Sequence, residues 1–504
     1  MSAAWLVATR PRSLAPGLAY CSLCAPTQTQ SLLLPWHTSH HNILGLQRRL
    51  LSSQPQPRHL LTLAIESSCD DTCVTVLEKT PGAGRGAARL LFDKKVTSDN
   101  RQFRGVRPVT AVASHTQHLA GLVREAMRAL PDAGSAEAGN ETTGENAVWV
   151  DGRLRRKPDF ITVTRGPGMM SNLSTGLNTA KGLAVAWDVP LLGVHHMQAH
   201  ALTPRLVSAL EARKLGEEEK GGSELALSPT FPFLSLLVSG GHSLLVLSRS
   251  LTDHAILAEA QNIAIGDMLD KCARDIIPAA ELAAADGVMY AAHLERFAFP
   301  NGPDDFTHSY VPPAARADEI KILDSGRGWK LTPPLSERAD MSFEFAGLNG
   351  QVIKVMMQRP DMPREERRLV ARHTMRLAFE HLASRLLLAL SRRGKVGEED
   401  GALLRGVRTL VVAGGVASNR YLMHILRRIL DVRGYGHIEL VCPPLSLCTD
   451  NGAMIAWTGM EMYEAGWRSE LDILAIKKWP LDPDSEEGGI LGVPGWENVG
   501  ETKS

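Results

Sequence analysis

Beyond residue 57 the chain sets apolar runs against short polar turns. Residues 60–78, "LLTLAIESSCDDTCVTVLE", read as an apolar strand, a polar turn and a second strand rich in β-branched residues, the pattern of a hairpin. Residues 160–187, "FITVTRGPGMMSNLSTGLNTAKGLAVAW", predict a strand, a Gly-Pro-Gly turn and a helix of small residues. Residues 231–250, "FPFLSLLVSGGHSLLVLSRS", predict strand, glycine turn and strand. Residues 409–426, "TLVVAGGVASNRYLMHIL", predict a strand, a glycine turn and a helix opening at Ser418 and Asn419. Four apolar strands that end in turns of Gly, Ser or Asp indicate an α/β fold with its working loops at strand ends.

Four polar stretches separate these blocks: residues 131–159, 211–230, 392–406 and 484–504. Their low hydrophobicity predicts surface insertions that bury little and order weakly. One of them carries "GRLRRK", Gly152 to Lys157, a candidate basic patch for nucleic acid that equally suits a solvated loop.

Composition changes the picture at the start of the chain. The 504 residues balance 55 Lys and Arg against 55 Asp and Glu, with 44% hydrophobic residues, enough for two or more globular domains. Nucleic acid would therefore be met by a local basic surface. No stretch approaches the ~18 consecutive apolar residues of a membrane span. From Met1 to Ile65 there is no Asp or Glu, while Arg10, Arg12, Arg48, Arg49 and Arg58 are basic. An acid-free basic leader rich in Ser and Leu has the signature of a mitochondrial transit peptide. A cut near Leu51 or Ser52 would remove four arginines and leave 51 basic against 55 acidic residues. The seven cysteines show no repeating spacing, and Cys69 and Cys73 read as ordinary buried thiols.

Candidate chemistry gathers at the turns. Residues 195–200 read "HHMQAH" directly after the apolar "VPLLGV". On a helix His196 and His200 share a face one turn apart, the spacing that lets two imidazoles hold one metal ion, while His195 points elsewhere. A helix start with core or solvated histidines has the same pattern, so the pair needs a third ligand. Asp450, in "CPPLSLCTDNGAMIAW", is either a helix N-cap or that ligand. Two histidines and one carboxylate with open positions suit Fe(II) or zinc.

"SGGHS", Ser239 to Ser243, places two glycines and flanking hydroxyls where backbone N–H groups can face an anion, as can a hairpin turn without a ligand. "AGGVASN", Ala413 to Asn419, adds a helix start whose free N–H groups favour negative charge. Two such turns suggest one nucleotide held between two lobes. "ESSCDDT" contributes Glu66, Asp70 and Asp71 in a turn, where acids are usually solvated.

"IESSCDDT", "TRGPGMMSNLSTGLNTAKGLA", "HHMQAH", "LVSGGHS", "GDMLDK", "SFEFAGL", "AGGVASN" and "CTDNGAM" together resemble, in this order, the tRNA N6-adenosine threonylcarbamoyltransferase family, once labelled O-sialoglycoprotein endopeptidases. The resemblance spans roughly residues 60–482, and with the basic leader it points to the mitochondrial branch. It implies an actin-like fold of two α/β lobes with the active site between them. The expected division is a transit peptide and disordered lead over 1–57, a first lobe over 58–190, a second lobe with terminal helices over 191–484, and a tail over 485–504.

The resemblance further implies that His196, His200 and Asp450 hold one divalent metal ion, iron or zinc. Ser239, Gly240, Gly241, His242 and Ser243 are implied to line the phosphate side of threonylcarbamoyl-AMP, with Asp270 and Asn419 on its nucleoside. The implied partners are tRNA and threonylcarbamoyl-AMP, with a homodimer, no membrane and a place in the mitochondrial matrix. Asp70 and Asp71 are the candidates for a catalytic base. Three departures stand out: Asp71 where the family usually has Glu, "CARDIIPAAELAAADG" where a Gly-Gly-Pro turn is usual, and "PVTAVASH", which leaves His115 a weak candidate.

Two other functions compete. A metallopeptidase suits the histidine pair, yet Met197 and Gln198 stand where H-E-x-x-H needs its glutamate. An actin-like ATPase or sugar kinase suits the nucleotide turns but not the histidines.

Overall fold

The computed structural model describes residues 59–80, 87–100, 103, 105–133, 146–218, 227–283, 290–391 and 397–500. The acid-free leader, with its expected cleavage site, lies outside them.

β1 (Leu60–Glu66), β2 (Asp71–Lys79) and β3 (Ala88–Thr97) form an antiparallel meander. β4 (Ala147–Val150) and β5 (Arg153–Arg156) make a separate hairpin. β6 (Phe160–Gly166) then pairs in parallel with β1, and β7 (Leu191–His195) in parallel with β6. A second meander follows in β8 (Phe233–Val238), β9 (Ser243–Ser248) and β10 (His254–Ala260). After the short β11 (Leu323–Asp324), β12 (Lys330–Leu331) and β13 (Ser342–Phe343), β14 (Thr409–Ala413) pairs in parallel with β8, and β15 (Glu439–Val441) in parallel with β14. β16 (Trp467–Ser469) and β17 (Trp496–Asn498) return to the first sheet.

The two large sheets run β17-β16-β7-β6-β1-β2-β3 and β13-β10-β9-β8-β14-β15. Each contains the same five-strand arrangement, three antiparallel strands followed by two parallel ones. This duplication is the two-lobed, actin-like α/β plan expected from the sequence. The expected division at residue 190 falls between paired strands, because the helix Met170–Trp187 carries the chain back to the same sheet edge.

Alternation along the strands explains where the core sits, since successive side chains leave opposite faces. In β8, Phe233 and Leu237 face one way, while Leu234, Leu236 and Val238 face the other. The first set joins Ala64, Phe160, Leu192 and Val194 of the other sheet around two helices, His196–Glu218 and Gly452–Glu464. These two helices therefore lie between the sheets. The outer faces carry their own cores, one on Leu61, Leu63 and Ile65 and one on Leu234, Leu236 and Leu245.

Two polar stretches behave differently from expectation. Residues 484–500 pack onto the body: Ile490 is buried, and Trp496 Nε1 donates to Ile490 O at 2.9 Å. Ile490 and Trp496 supply enough apolar surface to hold the segment despite its polar neighbours. In "GRLRRK", Arg156 is buried against Asp159 at 2.7 Å and Arg155 pairs with Asp132 at 2.8 Å. Two of the four basic residues of that candidate patch are thus neutralised within the protein.

Candidate active site

The turn from β7 into the next helix separates the three histidines. His195 ends β7 fully buried, and its Nδ1 accepts from the backbone N–H groups of Met197 and Gln198 at 3.1 and 3.3 Å. That leaves Nε2–H to donate to Trp479 O at 2.9 Å, so His195 caps the helix and pins it to the C-terminal segment. Burial pushes its pKa down to about 3. His196 and His200 follow one turn apart with ring centroids 4.8 Å apart. Gln198, between them, donates instead to Leu251 O at 2.8 Å.

Asp450 arrives from the other end of the chain. Asn451 is the N-cap of the helix Gly452–Glu464, with Oδ1 accepting from Met454 N at 2.8 Å, so the Asp450 carboxylate is left for the histidines. Small residues bring this helix close to the first sheet. A Cβ added to Gly452 would lie 2.4 Å from Thr75 Oγ1, and one added to Gly459 would lie 2.3 Å from Thr162 Oγ1.

Ligand atoms of His196, His200 and Asp450 all fall within 4.8 Å of one another. Asp450 Oδ1 lies 3.2 Å from His200 Nε2 and 3.5 Å from His196 Nε2. Two imidazole nitrogens and one carboxylate oxygen match the donor set of a divalent iron or zinc site, and the donor chemistry fits such an ion. Behind His196, Nδ1 lies 3.4 Å from Glu66 Oε2 and 3.3 Å from Ser68 Oγ. Glu66 is fully buried at the end of β1. It also accepts from Ser68 N at 2.6 Å and from the Thr164 hydroxyl.

Burial alone would neutralise His196, Glu66 and Asp450, yet each is held toward its charged form by facing its opposite. Against the burial penalty, Asp450 and Glu66 raise His196 to about 10. In return His196 holds Glu66 below, and Asp450 well below, the usual carboxylate range. A cation is thus favoured at the centre, whether a proton or a metal ion.

The acids of the β1–β2 turn lie alongside. Burial raises Asp71 to about 6 even though it accepts from Thr97 Oγ1 at 2.5 Å and from Lys95 Nζ at 3.1 Å. Lys95 also donates to Thr449 Oγ1 at 2.9 Å and to Asp450 O at 3.1 Å, tying β3 to the ligand loop. Asp70 is also raised, first by burial and then by Asp450, while a hydrogen bond from Cys69 lowers it. His115 is buried, with Nδ1 2.7 Å from Thr72 Oγ1 and Nε2 3.0 Å from Cys69 O, so it braces the turn from beneath.

The glycine turns flank the cluster. Burial lowers His242 to about 4, and the charges on His196 and His200 push the same way. Ser239 Oγ accepts from the N–H groups of Gly241 and His242 at 3.2 and 3.0 Å. Gly240 and Gly241 border open space. Gly414 is a different case: its φ is +98°, and a Cβ would lie 2.4 Å from Val238 O, so only glycine fits where β14 meets β8. Three of the expected nucleotide contacts also have protein partners. Ser243 is buried and accepts from Ile265 N at 2.9 Å, Asp270 accepts from Ala291 N at 2.6 Å, and Asn419 Oδ1 caps its helix through Leu422 N at 3.1 Å. Their polar atoms complete turns and helix starts, a need that spacing along the chain does not reveal.

Comparison with known proteins decides what this cluster belongs to. The model of the TsaD family, tRNA N6-adenosine threonylcarbamoyltransferase, matches residues 154–215 and 222–457, a stretch holding both histidines and Asp450. The chain belongs to this family. It is accordingly a transferase. A mitochondrial threonylcarbamoyltransferase of Schizosaccharomyces pombe is 34% identical over 87% of this chain and 89% of its own. One named mitochondrial in Danio rerio is 30% identical over 83% and 86%. A threonylcarbamoyltransferase of Zymomonas mobilis is 28% identical over 87% and 96%. For this threonylcarbamoyltransferase, sequence reasoning passed over Lys95 and left Glu66 among turn acids. The available signal was an acid ending an otherwise apolar strand.

Proposed function

We propose that the protein transfers the threonylcarbamoyl group from threonylcarbamoyl-AMP to N6 of the adenosine next to the anticodon, position 37, in mitochondrial tRNAs reading codons that begin with A. The observation carrying this reading is the family match across His196, His200 and Asp450. The two named mitochondrial relatives and the acid-free leader support a place in the mitochondrion, in our reading the matrix. We assign the functional unit as a homodimer.

In this reaction the adenosine N6 attacks the carbamoyl carbon, the bond from that carbon to the phosphate oxygen breaks, AMP leaves with the electron pair, and N6 loses one proton. His196, His200 and Asp450 would hold an iron or zinc ion, which when bound would supply a Lewis acid at the centre. The amides of the Ser239–Ser243 turn face the phosphate side of the adenylate, with His242 toward the metal ligands. Asp270 and Asn419 border the nucleoside, shaping its pocket through the helix starts they hold. Asp70 accepts the N6 proton, because burial strengthens it as a base, whereas Asp71 is committed to Lys95 and Thr97. Holding the adenylate and the splayed base together lowers the barrier for a poor amine nucleophile.

Incubating the full-length protein with threonylcarbamoyl-AMP tests the reading through AMP release. Release that depends on unmodified tRNA, one AMP per threonylcarbamoyl group fixed, is expected. Hydrolysis of peptides or of ATP with no tRNA-dependent release would replace it with one of the competing functions.

A further inference from the structure

We propose that Glu66 is a positioning residue that fixes the proton of His196 on Nδ1, so that Nε2 is a lone-pair donor toward the metal position. This rests on the metal reading of His196, His200 and Asp450.

An imidazole that binds a metal through one nitrogen must carry its proton on the other, and the group accepting that proton sets both tautomer and ring orientation. His196 Nε2 faces Asp450 and the cluster, so with a metal ion bound there the remaining ring proton belongs on Nδ1. Two acceptors stand within reach, Glu66 Oε2 at 3.4 Å and Ser68 Oγ at 3.3 Å. They are not equivalent. A hydroxyl can turn to donate or accept and so selects no tautomer, whereas an ionised carboxylate can only accept.

The surroundings of Glu66 remove its freedom. It is fully buried, Oε1 accepts from Ser68 N at 2.6 Å, and Oε2 accepts from the Thr164 hydroxyl on β6. One oxygen is thus held by the turn after β1 and the other by β6. Glu66 lies 130 residues from His196 along the chain, so its role depends on the fold.

This arrangement gives Glu66→Gln a specific consequence. The backbone N–H of Ser68 requires the amide oxygen at the Oε1 position, which puts the –NH2 group where Oε2 was. There it donates toward His196 Nδ1, and the imidazole proton moves to Nε2, the nitrogen that has to meet the metal. Losing such a partner typically costs about 10- to 100-fold in metal affinity.

The test strips the full-length protein of metal and measures zinc affinity by competition with a chromophoric chelator. Each variant is also melted by circular dichroism, and the His196 ring N–H is read from 15N–1H correlation spectra at saturating zinc, where one ring proton remains. Glu66→Gln should bind zinc about 10- to 100-fold more weakly and lose the low-field, strongly hydrogen-bonded His196 Nδ1–H signal of the zinc-loaded parent, while Ser68→Ala stays within about threefold of the parent. Parent-like zinc affinity in a cooperatively melting Glu66→Gln would overturn the proposal. So would a loss confined to Ser68→Ala. If Glu66→Gln does not fold, Glu66→Asp decides: the charge is kept but withdrawn by one methylene, so weaker zinc binding supports the assignment and parent-like binding rejects it. Zinc binding is read without tRNA or adenylate, so a parent that binds zinc but transfers nothing would reject the proposed reaction and leave Glu66 standing.

Discussion

Gly452 sits so close to Thr75 that a Cβ on it would lie 2.4 Å from the threonine Oγ1. The contact sets how near the helix Gly452–Glu464 comes to β2, and Asp450 meets His196 and His200 two residues earlier. Gly452→Ala should therefore destabilise the protein by ~1–3 kcal/mol through overpacking and weaken zinc binding as Asp450 shifts. Gly350→Ala is the control: the site is in a helix with nothing within 4 Å, so a gain of roughly 0.5–1 kcal/mol is expected with zinc binding unchanged. Chemical denaturation and chelator competition read both, and parent-like behaviour of Gly452→Ala would remove the packing argument.

His195→Ala should separate stability from metal binding. It removes the helix cap, the bond to Trp479 O and a buried ring, a loss on the order of 2–4 kcal/mol in denaturant. Zinc stoichiometry should stay at one per chain. Loss of zinc from a folded His195→Ala protein would place His195 in the metal site.

The two glycine turns should respond in opposite ways. Gly241 borders open space, so Gly241→Val should leave the unliganded protein within about 0.5 kcal/mol of the parent while weakening adenylate binding. Gly414→Ala should lower stability, since φ of +98° and the 2.4 Å approach to Val238 O exclude a side chain. Calorimetric titration with threonylcarbamoyl-AMP reads the first. Unaltered affinity in Gly241→Val would make the turn a plain hairpin.

These contrasts show what the chain made legible. Strand, turn and helix around Ser239–Ser243 and Ala413–Asn419 could be read because apolar runs and glycine turns are local signals. The histidine pair was legible because helical spacing is local too. Glu66 and Lys95 were not, since their partners lie 130 and 355 residues away. Asn419 and Asp270 carry a part that spacing does not reveal, since each also accepts from a backbone N–H at a helix start. β17 stayed hidden because it is three residues long, Trp496–Asn498, too short for alternation to show in a stretch rich in glycine and acids.

Acid should weaken the protein through its neutral buried histidines. His254, with Nδ1 3.0 Å from Ser248 Oγ and Nε2 2.9 Å from Leu251 O, is lowered by burial to about 4 from an ordinary 6.5. The unfolded chain therefore binds this proton first as pH falls. The contribution is full above pH 6.5 and lost progressively toward pH 4, with a slope of up to about 1.4 kcal/mol per pH unit. The stability difference between the parent and His254→Gln, measured by denaturant titration, should narrow across that window. A difference independent of pH would show that His254 does not titrate this way.

The most direct test of the account is nucleoside mass spectrometry of unmodified mitochondrial tRNA after incubation with threonylcarbamoyl-AMP and either the zinc- or iron-loaded parent or Asp450→Ala. The parent should convert the adenosine beside the anticodon to its N6-threonylcarbamoyl form. Asp450→Ala, folded but depleted of metal, should give none, because a three-ligand site keeps little affinity after losing one ligand. No modified adenosine with the loaded parent, or equal amounts with both proteins, would contradict the claim that His196, His200 and Asp450 form the transfer site.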